Sequence, residues 1–155
     1  MAHAANPIPE GYGGAIPYLS TAAAAKALDF YRTAFGAVET ERLTMPDGRI
    51  GHAEITIGGA RVMLADEFPD MDFRSTTSLG GSPVMIHVYV PDVDALVRQA
   101  TAAGAVVERA TENTFYGDRV AGLRDPFGHR WHFATRIENL TSEEIRRRAT
   151  AAHGA

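Results

Sequence analysis

The order of predicted strands and helices repeats within this chain, and that repetition constrains the fold more than any other feature. One strand, one helix and three strands are predicted over residues 16–66, and the same order returns over residues 84–136. At an offset of 70 residues Gly58 aligns with Gly128, whereas Gly36 aligns with Gly104 at an offset of 68. The sequence therefore predicts two βαβββ modules and an α+β fold class.

Local signals set the predicted element boundaries. Ser20 or Thr21 can cap the first helix, Asp92 can cap the second, and Thr141 with Glu144 forms a capping box before a terminal helix. The predicted first module has a strand at 15–20, a helix at 21–35 and strands at 38–45, 49–57 and 60–66. The predicted second module has a strand at 84–90, a helix from 92 to 104 and strands at 105–111, 119–124 and 129–136. Residues 1–14 form an expected extended arm, 67–82 a polar loop, and 141–155 a C-terminal helix and tail.

Composition excludes several classes of chemistry. The chain has no cysteine, which removes disulfides, zinc–thiolate sites, iron–sulfur clusters and thiol nucleophiles. Its 15 basic and 19 acidic residues give a formal net charge of −4, so no electrostatic attraction to nucleic acid or to an anionic membrane is expected. The N-terminus lacks the charged and apolar regions of a signal peptide, and a cytoplasmic location is therefore expected.

Seven short segments of the two modules carry a family resemblance. They lie at residues 17–19, 27–31, 34–37, 51–54, 64–67, 116–119 and 124–131. Together they resemble the vicinal oxygen chelate superfamily of glyoxalase I, bleomycin resistance proteins and extradiol dioxygenases, and within it the PhnB-like group. The resemblance spans residues 15–140 as one domain. It implies two modules whose curved mixed sheets enclose a cavity, and it implies a homodimer.

The resemblance also implies where a divalent metal would be held. Metal sites of the superfamily use four slots, which fall in this sequence at Pro17, near Val62, at His87 and at His132. The two histidines can ligate a metal, whereas proline and valine cannot. Glu54 or His52 could add a ligand from a neighbouring strand, although neither matches a slot of the family.

Strand alternation indicates which side chains can share the implied cavity. Apolar residues take one face of each strand and are expected to pack under the helices. The opposite faces carry the candidate site residues, which are His52, Glu54, His87, Tyr89 and His132.

Each candidate has a functional and a structural interpretation. Glu54 with His52 could form an oriented general base, or the pair could lie on an exposed strand face. His87 and His132 could bind a metal, hydrogen-bond a ligand, or be structural histidines. Arg124 could clamp an anionic ligand, and Tyr116 lies in a loop that could border the ligand site.

Two functions follow from these residues. The first is a protein that binds a small organic molecule in the cavity between the modules, which the two missing metal slots favour. The alternative is an enzyme of the lyase, isomerase or dioxygenase type, in which a divalent metal activates vicinal oxygens of a substrate. A purely structural or regulatory dimer has no positive feature in the sequence.

Overall fold

The computed structural model describes residues 6–153, and its elements follow the repeated order predicted from the sequence. The first module contains β1 (Tyr18–Thr21), α1 (Ala24–Phe35), β2 (Val38–Thr44), β3 (Ile50–Ile57) and β4 (Ala60–Asp66). A connecting segment follows, with a 3-10 turn (Pro69–Met71) and the short helix α2 (Thr76–Leu79). The second module contains β5 (Met85–Tyr89), α3 (Val93–Ala102), β6 (Val106–Asn113), β7 (Asp118–Arg124) and β8 (Arg130–Arg136), and α4 (Ser142–His153) comes last.

The strands form two four-stranded mixed sheets of the same topology. Their orders are β1-β4-β3-β2 and β5-β8-β7-β6. In each sheet the first strand of the module pairs in parallel with the last, and the remaining pairs are antiparallel. The predicted α+β fold of two βαβββ modules is confirmed.

Several predicted boundaries shift in the structure. Residues 1–5 of the arm and 154–155 of the tail lie outside the described residues. The loop predicted at 67–82 contains the 3-10 turn and α2, which Ser75 caps by accepting from the amide of Ser78 at 3.2 Å. Among the helices of residues 6–153, none combines the length and apolar character needed to cross a membrane.

The predicted cap of the first helix is wrong. Parallel pairing with β4 extends β1 to Thr21, so the helix begins three residues later than predicted, at Ala24. Its N-cap residue is Ala23, which makes no side-chain cap. The carboxylate of Asp66, at the end of β4, instead accepts from the amides of Ala24 at 2.8 Å and Ile50 at 2.7 Å. A residue distant in sequence therefore does what Ser20 or Thr21 was expected to do.

One hydrophobic core joins the two modules. Helix α1 packs against α3, and Phe35 of α1 lies with its ring centroid 5.0 Å from Trp131 and 4.9 Å from Phe133 of the second module. The turn between β7 and β8 adds a buried polar anchor, Asp125. Its carboxylate accepts from the hydroxyl of Tyr31 at 2.6 Å and from the indole nitrogen of Trp131 at 2.9 Å. These contacts, on the core side of both sheets, fix the position of one sheet relative to the other.

Two aligned glycines bring turns unusually close to neighbouring segments. Gly58, in the β3–β4 turn, has φ of 55°, and a methyl group on it would lie 2.8 Å from the carbonyl oxygen of Tyr89 in β5. Gly128, in the β7–β8 turn, has φ of 92°, and a methyl group there would lie 2.7 Å from the hydroxyl of Thr76 in α2. Both positions require a residue that tolerates positive φ and carries no side chain.

The anchor at Asp125 gives a stability prediction. We expect Tyr31→Phe to lower the free energy of unfolding by about 1–3 kcal/mol, because a buried carboxylate loses a hydroxyl donor. Urea denaturation of wild type and variant measures the difference. Tyr116→Phe is the matched control, with an expected change of at most about 0.5 kcal/mol. Equal destabilisation by the two variants would contradict the role given to Asp125.

Candidate functional site

The outward faces of the two sheets carry the polar candidates, as strand alternation predicts. In β3, Ala53, Ile55 and Ile57 are buried in the core, and His52 and Glu54 lie on the other face. In β8, Trp131 and Phe133 point into the core and His132 points away from it. The structure divides the five predicted residues between two groups, one on each sheet.

An imidazole pair lies on the second sheet. His87 and His132 are direct partners in the parallel β5–β8 ladder, so their side chains share one face. Their Nδ1 atoms are 2.8 Å apart, and the ring centroids are 4.8 Å apart. One Nδ1 must therefore carry a proton while the other accepts it, which fixes complementary tautomers in the neutral pair.

The two imidazoles differ in environment. His87 is exposed, whereas His132 is only 9% exposed. Burial lowers the pKa of His132, and positive charge on His87 and Arg109 lowers it further, against an opposing effect of Asp118. His132 is thus a neutral imidazole near pH 7.

A carboxylate beside the pair engages Tyr89. The hydroxyl of Tyr89 donates to Asp118 at 2.6 Å, and the guanidinium of Arg136 donates to the other oxygen of the same carboxylate. Asp118 is 2% exposed. The centroid of the Tyr89 ring lies 5.0 Å from that of His87. Asp118 and Arg136 therefore fix the Tyr89 ring beside the imidazole pair.

The second group surrounds Glu54 on the first sheet. Tyr12 donates to Glu54 from its hydroxyl at 2.7 Å, Arg61 from Nη1 at 2.5 Å, and His52 contacts it through Nε2 at 3.1 Å. The hydroxyl of Tyr18 lies 2.6 Å from Nδ1 of His52. Within residues 6–153, no hydrogen bond or ion pair joins this group to the imidazole pair.

These contacts decide the charge of Glu54. Burial by itself would raise its pKa, but the hydrogen bonds from Tyr12, His52 and Arg61 together lower it. The carboxylate is therefore ionised and already supplied with donors. Such a group is a weak proton acceptor, so the geometry favours an electrostatic and positioning role over the general-base role considered for Glu54 with His52.

A recess of about 630 Å³ lies between the two groups, at the junction of the modules. We call it the junction recess. Arg61 and Thr56 line it from the first sheet and His87 lines it from the second, with glycines of the N-terminal arm along one side. Its apolar wall is Ile16, Pro17, Val84, Met85 and Ile86.

Two predicted ligand contacts lie elsewhere. Arg124 ends β7 and places Nε 3.5 Å from a carboxylate oxygen of Glu108. Tyr116 is half-buried in the β6–β7 loop, with its ring centroid 5.1 Å from that of Phe115. Neither residue lines the junction recess.

Sequence reasoning missed three members of the Glu54 group. Tyr12 lies in the arm expected to be loose, yet its ring packs 4.0 Å from the guanidinium carbon of Arg61. Arg61 and Tyr18 sit on the outward face of β4 and β1, where the register pairs Tyr18 with Met63. A lone tyrosine among the glycines of the arm was the available signal for Tyr12.

The residues present do not fit the divalent metal that the family resemblance implied. Val62 is fully buried, in register with Ile55 on the core side of the sheet. The outward pair of that ladder is Tyr18 and Met63, where the second module has His87 and His132. Within residues 6–153, no group of three histidine, aspartate or glutamate side chains is placed to hold an ion. A catalytic site normally needs about three protein ligands, and this chain brings two together.

Comparison with known proteins agrees with this fold. The model of the Glyoxalase/Bleomycin resistance protein/Dioxygenase superfamily matches residues 15–133. The chain therefore belongs to this superfamily.

Its relatives extend from bacteria to plants. An uncharacterized protein of Mycobacterium tuberculosis is 45% identical over 132 residues, covering 83% of this chain and 78% of the relative. An uncharacterized protein of Arabidopsis thaliana is 32% identical over 124 residues, covering 76% and 74%.

Solved structures show the same fold. TioX from Micromonospora sp. ML1 superimposes with a TM-score of 0.64 at 27% identity, covering 83% of this chain and all of that one (100%). The fosfomycin resistance protein FosX of Listeria monocytogenes, solved with Mn(II) and sulfate, gives 0.61 at 16% identity, covering 88% and 97%. At that identity the second likeness shows the fold alone.

The imidazole pair gives a prediction about protonation. We expect His87→Gln to raise the pKa of His132, because a neighbouring positive charge is removed while burial remains. NMR titration of the imidazole protons measures it, and His52→Gln, in the other group, is expected to leave it unchanged. An unchanged or lower pKa in His87→Gln would contradict the coupling.

The same shift has a consequence for folding. The pKa of His132 is lower in the folded chain than its ordinary value of about 6.5 in the unfolded chain. The stability that the neutral form of His132 contributes is therefore fully present above about pH 6.5. That contribution is lost as the pH falls through the folded pKa.

Proposed function

We propose that this protein binds a small organic molecule in the junction recess. The observation that carries the proposal is the lining itself, which combines an apolar wall with one guanidinium and one imidazole from opposite sheets. Small-molecule sites are typically concave, mostly apolar and supplied with a few fixed polar groups. A volume of about 630 Å³ lies within the range of such sites.

The charges of the lining favour a ligand that is polar without being strongly ionised. Arg61 is neutralised by Glu54 at 2.5 Å and held against the Tyr12 ring. His87 uses Nδ1 for His132, and its Nε2 has no hydrogen-bond partner among residues 6–153. A hydroxyl or carbonyl group on a planar apolar body would match this arrangement, with the imidazole donating or accepting according to its tautomer.

Ligand-observed NMR with a set of small aromatic alcohols and ketones tests the proposal. We expect some of them to bind wild type at about millimolar concentration, and Thr56→Trp to abolish that binding by filling the recess. Thr101→Trp, on the exposed face of α3, is the control and is expected to bind as wild type does. Binding by none of the compounds, or equal binding by both variants, would overturn the proposal.

Metal analysis after dialysis tests the metal-dependent alternative. Stoichiometric Mn(II) retained by wild type through dialysis, and lost from the His87→Ala/His132→Ala double variant, would favour an enzyme over a binding protein. We expect no such retention, because two imidazoles make an incomplete shell.

We also propose that this chain forms a homodimer. We further propose that it belongs to the PhnB-like group. The dimer is supported by the outer edge strands, since Val38 and Leu43 of β2 and Val106 and Val107 of β6 all expose large aliphatic side chains. Exposed apolar edge strands are prone to pair or to pack with another chain. The subgroup is supported by the segments at 27–31 and 124–131.

Light scattering tests the assembly. We expect twice the mass of one chain at micromolar concentration, and a shift toward the single-chain mass in Leu43→Glu, because a charge replaces an apolar contact. Thr101→Glu is the control on a polar helix face. A single-chain mass for wild type would contradict the dimer.

A further inference from the structure

A second recess lies at the module junction, beneath the connecting segment. We call it the loop recess. Its volume is about 590 Å³, and residues 72–84 form one side of it while β1, β5 and the start of β8 form the other. The apolar lining includes Leu19, Phe73, Leu79, Pro83, Val84 and Ile86. The residues in common with the junction recess are Pro17, Val84 and Ile86, so the two recesses adjoin without sharing a charged group.

Arg130, at the rim of the loop recess, belongs to a cluster of two guanidiniums and one carboxylate that has a net positive charge. Arg130 lines the recess and is the direct cross-strand partner of Arg124. Both guanidiniums turn to the same carboxylate, Glu108, at 2.7 Å from Arg130 and 3.5 Å from Arg124. Neither has another acidic partner among residues 6–153. Two like charges directly opposite each other on a sheet are unfavourable, and one carboxylate balances only one of them.

The other charged residues of the lining do not cancel this excess. Arg74 and Asp72 face each other at 3.4 Å and form a pair of zero net charge. His129, also in the lining, uses Nε2 toward the carbonyl oxygen of Ser20 at 3.1 Å. The recess therefore has an apolar interior, and the cluster of Arg124, Arg130 and Glu108, with one guanidinium in excess, lies at its edge.

We propose that the loop recess binds a small organic acid, with its apolar body among Phe73, Leu79 and Val84 and its carboxylate on Arg130. A guanidinium recognises a carboxylate by paired N–H donors, and Arg124 adds a second positive charge within reach of Glu108. A bound acid would restore the balance of two cations by two anions. The proposal is independent of the function assigned to the junction recess, where Glu54 forms an ion pair with one arginine, Arg61, whereas Glu108 is shared by two.

Isothermal titration calorimetry with the intact chain tests the charge requirement. The probes are 2-naphthoate and its neutral counterpart 2-naphthylmethanol, which share the aromatic body and differ in the anionic group. We expect the acid to bind about tenfold more tightly than the alcohol at pH 7 and low salt, because its carboxylate gains a charge-assisted contact. Equal affinities, or binding of neither probe at about 1 mM, would overturn the inference.

Variants locate the contact. Arg130→Gln is expected to weaken 2-naphthoate about tenfold and to leave the alcohol nearly unchanged, since Glu108 and Arg124 then form a neutral pair. Leu79→Asp, at an exposed position of the lining, is expected to weaken both probes. Arg147→Gln is the matched control, because that guanidinium also pairs with one carboxylate, Glu144, but lies on α4.

The junction variant separates this inference from the proposed function. If Thr56→Trp abolishes 2-naphthoate binding and Arg130→Gln does not alter it, the acid occupies the junction recess and the loop-recess inference fails. If Arg130→Gln weakens 2-naphthoate binding and Thr56→Trp leaves it unchanged, the acid binds in the loop recess, whether or not the junction recess binds a ligand.

Discussion

The buried carboxylate of Asp125 is the interaction on which the arrangement of the two modules depends. It receives the hydroxyl of Tyr31 from one module and the indole N–H of Trp131 from the other, and it also accepts from the amides of Phe127 and His129 within its own turn. A buried charge is tolerated when several donors surround it, and their loss is costly. Because this anchor lies behind the sheets, it holds them together and leaves their outward faces available. Both recesses form where the first strand of one sheet comes near the first strand of the other.

Much of the fold could be predicted from local pattern, because strand alternation and helix-stopping glycines act over a few residues. The repeated element order, the inward Ile55 and Phe133 and the outward His132 all follow from such rules. Contacts between residues that are distant in sequence could not be predicted from these local rules. Asp66 caps a helix 42 residues away, and Tyr12 reaches Glu54 across the same separation. A capping box or a strand face can be read from neighbours in sequence, whereas these partners meet only after the sheet has formed.

The two modules share a topology and differ in the chemistry of their outward faces. On the first sheet the carboxylate of Glu54 is hydrogen-bonded by one phenol, one guanidinium and one imidazole, so its negative charge is balanced within the protein. On the second sheet an imidazole pair lies beside Tyr89, and two arginines share one carboxylate where β7 ends and β8 begins. Since both sheets have the same strand order and pairing, this difference lies in the side chains that they carry, which is how one fold carries several activities.

The glycines at 58 and 128 occupy aligned positions of the repeat, and each presses a turn against a segment outside its own hairpin. Neither turn has room for a side chain, because Gly58 lies against β5 of the second module and Gly128 lies against α2 of the connecting segment. A larger residue at Gly58 would displace the hairpin of the first module from the second module, whereas a larger residue at Gly128 would displace the connecting segment. The connecting segment forms one side of the loop recess, and the turn that holds Gly58 borders the junction recess. The two glycines therefore set the spacing at different boundaries of the module junction.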